Sequence, residues 1–188
     1  MQDAFTFILS SLLDLYIATF FLRLVLAWSR ADFRNPLAQV ILKITNTLVI
    51  PARRFIPAAG GIDTATLVIL VVLQCVATGL LAKIACMGSA EIPQIVIFGL
   101  VRLVRLVVQT YSLLTLIYVI SSWVGPGGYN PAIAILAAIV EPLLAPFRRF
   151  IPPIAGLDLS PLAALLVLGF LIRIIPSGVP TGMMCLPF

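Results

Sequence analysis

The chain has 188 residues, of which 62% are apolar and 10% are charged, and its mean hydropathy is +1.18. Soluble domains carry about 25% charged residues, and a small soluble chain leaves much of its surface in water, so this composition excludes a soluble globular domain. The net charge of +5 comes from basic residues that sit singly or in pairs beside long apolar runs, which favours anionic lipid over nucleic acid as the binding partner.

The first predicted element is a long apolar helix over residues 4–28, which ends at a tryptophan. It is too long for the apolar core of a signal peptide, and no basic segment precedes it. We therefore expect a retained transmembrane helix, with Trp28 near the membrane–water interface.

A short amphipathic helix is predicted next, over residues 36–50. Asn35 is a good N-cap, and proline suits the first helical position, which Pro36 occupies. The apolar positions on one face are Leu37, Val40, Ile41, Ile44 and Leu48. At about 1.5 Å per residue such a helix is too short to cross a bilayer, so we expect it to lie in the interface plane or to dip in and return.

An arginine pair between two prolines follows, in the sequence PARRFIP at residues 51–57. In one interpretation Arg53 and Arg54 contact a lipid headgroup or another anion, because arginine presents a planar fork of donors suited to phosphate. In the other, which we favour, the pair is a topology signal with a structural ion pair, because Asp63 lies ten residues beyond Arg53. The two interpretations are compatible. The prolines are expected to stop any helix from running through the element.

After a second apolar run, at residues 64–86, the chain repeats itself in a register of 95 residues without a gap. Residues 1–93 and 94–188 are therefore two copies of one unit. Matched pairs include Tyr16 and Tyr111, Trp28 and Trp123, Asn35 and Asn130, Pro51 and Pro146, Arg53 and Arg148, and Asp63 and Asp158.

The second copy predicts the same elements in the same order. It has apolar runs at 94–124 and 159–179, a middle helix at 131–145, and a second arginine pair, Arg148 and Arg149, with Asp158 ten residues after Arg148. The middle helix is almost entirely apolar, so we expect it to be more buried than its counterpart, against copy one or a partner chain.

These elements predict an all-α membrane protein with four transmembrane helices, arranged as two parallel two-span repeats that each carry an amphipathic interfacial or re-entrant helix. Two spans per unit place both arginine pairs on the same face. The positive-inside rule then predicts cytoplasmic arginine loops and both termini outside, in a bacterial inner membrane.

Charge within a transmembrane span is costly and usually marks function. Among the charged residues of the predicted spans we single out Asp14, Arg23, Arg102 and Arg105. One interpretation is an ion or proton pathway. The other is an ion pair between Asp14 and Arg105 that fixes helix packing, with Arg102 reaching to the interface. We favour the ion pair, because a proton path usually needs several titratable groups and the chain has one deep acid.

Catalysis is not indicated by any motif. The chain has no histidine, which removes the commonest general base and metal ligand. Its cysteines lack metal-site spacing, and whether Cys86 and Cys185 pair depends on whether they share a side of the membrane. We therefore expect no enzymatic activity, no cofactor and no metal.

The duplicated motifs resemble those of the YggT family of integral membrane proteins. They read NP, PARRFIP and GID in copy one, and NP, PFRRFIP and GLD in copy two, so the resemblance covers most of the chain. It implies a multi-pass membrane protein of poorly defined activity, with roles in tolerance of osmotic or ionic stress and in the assembly or placement of membrane complexes.

Two hypotheses follow. In the first, the protein is a membrane scaffold or accessory factor whose arginine loops contact anionic lipid, with a homo-oligomer or other membrane proteins as partners. In the second, it is a component of a small oligomeric ion channel or transporter, with Asp14, Arg23, Arg102 and Arg105 along the path. Nucleic acid is expected in neither.

Overall fold

The computed structural model of the protein describes residues 2–29, 31–57, 63–86, 91–124, 130–151 and 158–176. Within these ranges the regular structure is entirely helical, which confirms the predicted all-α class. The helices are α1 (Gln2–Trp28), α2 (Pro36–Ala52), α3 (Thr64–Cys86), α4 (Ile92–Val124), α5 (Pro131–Phe150) and α6 (Ser160–Ile174).

The two middle helices, α2 and α5, begin in the same way. Asn35 Oδ1 accepts a hydrogen bond from the Leu37 backbone N–H at 3.0 Å, and Asn130 Oδ1 accepts one from the Ala132 N–H at 2.9 Å. A proline follows each asparagine, at a position whose N–H has no partner inside the helix. The Asn-Pro pair therefore starts both helices, as the sequence predicts.

Four helices are long and apolar enough to cross a membrane, which agrees with the predicted number, but the fourth is α5, for which the sequence predicted an interfacial or re-entrant helix over residues 131–145. They are α1, α3, α4 and α5, over Ala4–Trp28, Thr64–Ile84, Ile92–Ser121 and Pro131–Phe150. The run predicted as the fourth span, at 159–179, contains α6, which has 15 residues and ends at Ile174 shortly before Pro176. Residues 177–179 lie outside the described ranges, and a crossing by this run stays a prediction.

Helix α5 continues through two prolines, Pro142 and Pro146, so the expectation that proline stops the helix is wrong in copy two. The second arginine pair lies in its last turn. In copy one Pro51 lies inside α2, which ends one residue later. Each proline removes one backbone donor, but burial on neighbouring helices offsets that loss in α5, where Leu144 between the two prolines is fully buried.

The same three-helix packing occurs in both halves. Helix α1 packs on α2 and α3, and α4 packs on α5 and α6. The halves join chiefly through α3 and α4, and α5 also contacts α1 and α2, as its apolar sequence predicts. The parallel relation of the two repeats about an axis along the membrane normal stays a prediction.

Helix α2 buries a polar residue and leaves part of its predicted apolar face exposed. Thr45 and Val49 are fully buried, whereas three residues of that face are exposed, Leu37, Val40 and Ile44. The middle of this helix therefore turns a polar residue inward and apolar residues outward. The reason lies in a buried arginine of α1, described next.

Candidate functional site

A polar cluster joins α1, α2 and the start of α3, and we name it cluster one: Arg23, Thr45, Asn46, Arg53 and Asp63. Arg23 is 4% exposed, and its Nη1 donates to Thr45 Oγ1 and to Asn46 Oδ1, both at 2.7 Å. Its Nε lies 3.5 Å from Asp63 Oδ2, and Arg53 Nη2 donates to the same oxygen at 2.7 Å. Because a buried cation must be paired, Arg23 explains why α2 turns polar residues inward.

Asp63 is the anion of cluster one and precedes the first residue of α3. Thr66 Oγ1 donates to Asp63 Oδ2 at 2.6 Å. Burial acts to raise the pKa of Asp63, but the hydrogen bonds from Arg53 and Thr66 outweigh it, so the pKa lies below its ordinary value. The carboxylate therefore stays charged at neutral pH.

An equivalent cluster joins α4, α5 and the start of α6, and we name it cluster two: Tyr118, Glu141, Arg148, Asp158 and Ser160. Arg148 donates from Nε to Asp158 Oδ2 and from Nη1 to Glu141 Oε2, both at 2.8 Å. Tyr118 Oη donates to Glu141 Oε1 at 3.4 Å. Burial acts to raise the pKa of Asp158, but hydrogen bonds from Ser160 and Arg148 lower it below the ordinary value.

The two clusters occupy matching positions but carry opposite net charge. In the register of 95 residues, Tyr118 stands where Arg23 stands, and Glu141 stands where Asn46 stands. Arg23, Arg53 and Asp63 give cluster one a net charge of +1. Glu141, Arg148 and Asp158 give cluster two a net charge of −1.

The second arginine of each pair and the phenylalanine after it form an exposed element, which we name the Arg–Phe tip: Arg54 with Phe55, and Arg149 with Phe150. Phe55 is 85% exposed and Phe150 is 86% exposed, more than any other large apolar side chain in the described ranges. Both arginines are exposed, and no carboxylate of the described residues lies within ion-pair distance of either.

Both Arg–Phe tips lie at the same end of the bundle. Helices α3 and α4 are antiparallel, since Gly79 lies beside Ile95 and Gly99 beside Cys75. Helices α4 and α6 are also antiparallel. Arg105, in the first half of α4, contacts the end of α6, whereas cluster two joins Tyr118, near the end of α4, to the start of α6. Helices α3 and α6 therefore begin at one end, which we name the arginine end.

Each of the four charged residues singled out within the spans has a polar partner. Arg102 Nη2 donates to Asp14 Oδ1 at 2.7 Å, so the expected Asp14–Arg105 pair is wrong and Arg102 does not reach to the interface. Arg105 Nη1 instead donates to the carbonyl oxygens of Ile172 and Ile175, at 2.9 and 2.6 Å. The two arginines lie three residues apart on α4, and Arg102 contacts α1 whereas Arg105 contacts α6.

One buried amide in α3 is left without a partner. Gln74 is buried, and neither its Oε1 nor its Nε2 has a hydrogen-bond partner among the described residues. Thr115 Oγ1 on α4 is also buried without a hydrogen-bond partner among the described residues. Arg23 of α1 contacts Asp63 just before α3. Asp14 lies nine residues before Arg23 and Gln74 lies eleven residues after Asp63, so both lie at about the same level of the bundle.

Metal and disulfide chemistry gain no support from the described residues, where no group of three His, Cys, Asp or Glu residues is placed to hold a metal ion. Cys75 is a free thiol. The side chain of Cys86 and all of Cys185 lie outside what the structure describes, so their pairing stays open.

Comparison with known proteins gives a consistent result. The profile of the CCB3/YggT family matches residues 2–84 and 97–178. The chain is 40% identical to an uncharacterised protein of Pseudomonas aeruginosa, over 89% of this chain and 86% of the relative, and 34% identical to the uncharacterised protein YggT of Escherichia coli K12, over 99% and 97%. No solved structure matches the chain. With a family match in each half and relatives that cover most of its length, the chain belongs to the CCB3/YggT family.

Proposed function

We propose that the protein is a non-enzymatic scaffold or accessory factor of the bacterial inner membrane, which contacts anionic lipid through its two Arg–Phe tips. In this proposal the arginine end faces the cytoplasm and both termini lie outside. The tips, together with α2 and α5 beside them, offer one surface to lipid headgroups and to partner membrane proteins.

The observation that carries the proposal is the exposure of Phe55 and Phe150, each directly after an arginine that makes no ion pair with the described carboxylates. Removing a phenylalanine side chain from water contributes about 1.5–3 kcal/mol. A guanidinium suits phosphate oxygens and keeps its charge at the interface. A phenylalanine in the acyl boundary beside an arginine at the phosphates satisfies both side chains at once.

The two arginines of each pair have different tasks. Arg53 and Arg148 are held by Asp63 and Asp158 at 2.7 and 2.8 Å, which ties the end of each middle helix to the start of the following helix. Arg54 and Arg149 are then presented to lipid. This arrangement joins the two interpretations of the sequence, since one arginine is structural and its neighbour is free to bind.

The cellular role that we propose follows the family resemblance: tolerance of osmotic or ionic stress, or the assembly of membrane complexes. The alternative function, an ion channel or transporter component, is less well supported by the contacts. Asp14, Arg23, Arg102 and Arg105 are each engaged in hydrogen bonds or ion pairs within one chain. Purified protein in liposomes should therefore show no ion flux.

The lipid proposal is tested with the full chain in nanodiscs of mixed zwitterionic and anionic lipid, by measuring retained lipid with native mass spectrometry. Arg54→Ala with Arg149→Ala should lower anionic lipid binding about thirty-fold, since each basic residue near an anionic surface contributes about 1 kcal/mol. Lys83→Ala is the control, because Lys83 is an exposed cation in the last turn of α3, away from the arginine end. Equal loss in the control and the tip variant would refute a specific role for the tips.

A further inference from the structure

We propose that two copies of this chain form a symmetric dimer inside the membrane through one surface, the Asp14 face, which consists of Ser10, Ser11 and Asp14 of α1 with Arg102 of α4. The inference rests on the position, exposure and symmetry of the Asp14–Arg102 ion pair. It is independent of the Arg–Phe tips.

The ion pair lies at membrane depth. The candidate span of α1 runs from Ala4 to Trp28, so Asp14 is ten residues from one end and fourteen from the other. At about 1.5 Å per residue these are distances of about 15 and 21 Å. No surface exposed at this depth is in contact with bulk water.

The carboxylate is nevertheless only partly covered within one chain. The Asp14 side chain is 37% exposed, whereas the Arg102 side chain is 16% exposed. A charge in contact with hydrocarbon costs several kcal/mol, even when it is paired on one side. The partly exposed carboxylate therefore requires a donor from outside the described residues of this chain.

A second copy supplies that donor at the right depth. A two-fold axis along the membrane normal leaves the depth of every atom unchanged. Asp14 and Arg102 lie 2.7 Å apart, so their charges are at nearly the same depth. In a symmetric dimer, Asp14 of each copy can therefore meet Arg102 of the other copy. A different partner protein would have to carry a matching ion pair at that depth, whereas a second copy always does.

The rest of the face permits close approach. Ser10 and Ser11 lie one turn from Asp14 on the same side of α1, and both hydroxyls donate to the Phe7 carbonyl oxygen, at 2.9 and 2.8 Å. These hydroxyls are satisfied locally and impose no cost on the interface. Small residues let helix backbones pack closely in lipid, where packing and polar contacts drive association.

The test counts subunits by single-molecule photobleaching of the labelled full chain, in liposomes at a low protein-to-lipid ratio. We expect wild type to be dimeric. Asp14→Leu with Arg102→Leu removes both charges and keeps the helices apolar, and should raise the dimer dissociation constant at least about ten-fold. The charge exchange Asp14→Arg with Arg102→Asp keeps a self-complementary pair and should restore the dimer.

A matched control and a second variant keep the test decisive. Leu12→Ala changes an exposed apolar residue on the opposite side of α1 and should leave the dimer intact. Where the charge exchange prevents folding, Ser10→Leu with Ser11→Leu blocks close approach without touching the ion pair, and should also weaken the dimer. A monomeric wild type, or Leu variants that dimerise like wild type, would overturn the proposal. So would dimers that form only when residues 177–188 are removed, because the chain itself would then cover the face.

Discussion

The two equivalent aspartates, Asp63 and Asp158, provide the sharpest test of how the clusters hold the fold. We consider Asp63→Asn and Asp158→Asn, which remove one negative charge each and keep the size of the side chain. Asp63 is 8% exposed and serves both Arg23 and Arg53, whereas Asp158 is 34% exposed. Arg148, the partner of Asp158, also has Glu141. The same Asp→Asn substitution therefore removes a buried carboxylate with two arginine partners at position 63 and a half-exposed carboxylate at position 158.

The expected magnitudes differ by severalfold. Asp63→Asn leaves the buried guanidinium of Arg23 with neutral partners only, and breaking a buried pair in this way costs about 3–5 kcal/mol of the free energy of unfolding. Asp158→Asn breaks a half-exposed pair, which contributes about 1 kcal/mol or less, and the remaining ion pair to Glu141 limits the loss. We expect Asp63→Asn to destabilise by at least about 2 kcal/mol more than Asp158→Asn.

The assay is a titration of SDS into each variant in mild detergent micelles, followed by circular dichroism. Arg23→Met with Asp63→Asn serves as a further variant, because removing the buried cation together with its anion should recover part of the stability lost in Asp63→Asn. Equal destabilisation in the two single variants would refute the reasoning. A loss below about 1 kcal/mol in Asp63→Asn would do the same, since Arg23 would then not depend on its carboxylate.

Three further predictions use the same protein in micelles or liposomes. The pKa of Asp63 is lowered in the fold, so the stability that its carboxylate contributes is complete above the ordinary pKa of 3.8 and is lost as the pH falls through the lower folded-state pKa. SDS titrations from pH 6 to pH 3 should show a falling free energy of unfolding in wild type and a smaller fall in Asp63→Asn. Gln74→Leu should raise the free energy of unfolding by about 1–2 kcal/mol, because the amide is buried without a partner; a destabilised variant would show that this amide is bonded after all. Arg105→Met should speed hydrogen exchange in the last turn of α6, because it frees the carbonyl groups of Ile172 and Ile175; exchange rates equal to wild type would show that the last turn does not depend on the arginine.

The internal duplication made most of the architecture predictable. Matching Asn35 with Asn130 placed two helix starts, and the ten-residue spacing from Arg53 to Asp63 pointed to the pairing that the structure contains. Such features depend on local chain geometry, which sequence spacing describes well. The long apolar runs of the sequence predicted three of the long helices, α1, α3 and α4, for the same reason.

Contacts between distant helices were less predictable, because they depend on how each helix is rotated and displaced. Arg102 and Arg105 differ by three residues, and the sequence alone does not decide which of them faces Asp14. The inward turn of Thr45 and Asn46 required knowledge of where Arg23 lies. The signal was present in the repeat register, where Arg23 matches Tyr118 and Asn46 matches Glu141, since polar residues at matching positions in two copies indicate a shared contact.

Clusters one and two lie at the same end of the bundle and carry opposite net charges, so the charge difference between them is directed across the bundle. This charge difference arises from two differences between the repeats, Arg23 against Tyr118 and Asn46 against Glu141, while the exposed arginines of the tips add equally to both sides. Screening at physiological salt limits its reach to about 8–10 Å. With the tip arginines included, the side of cluster one carries a net charge of +2 and the side of cluster two is neutral. Over that distance the first side attracts anionic groups more strongly, so the duplicated unit presents two distinguishable sides to the proteins and lipids around it.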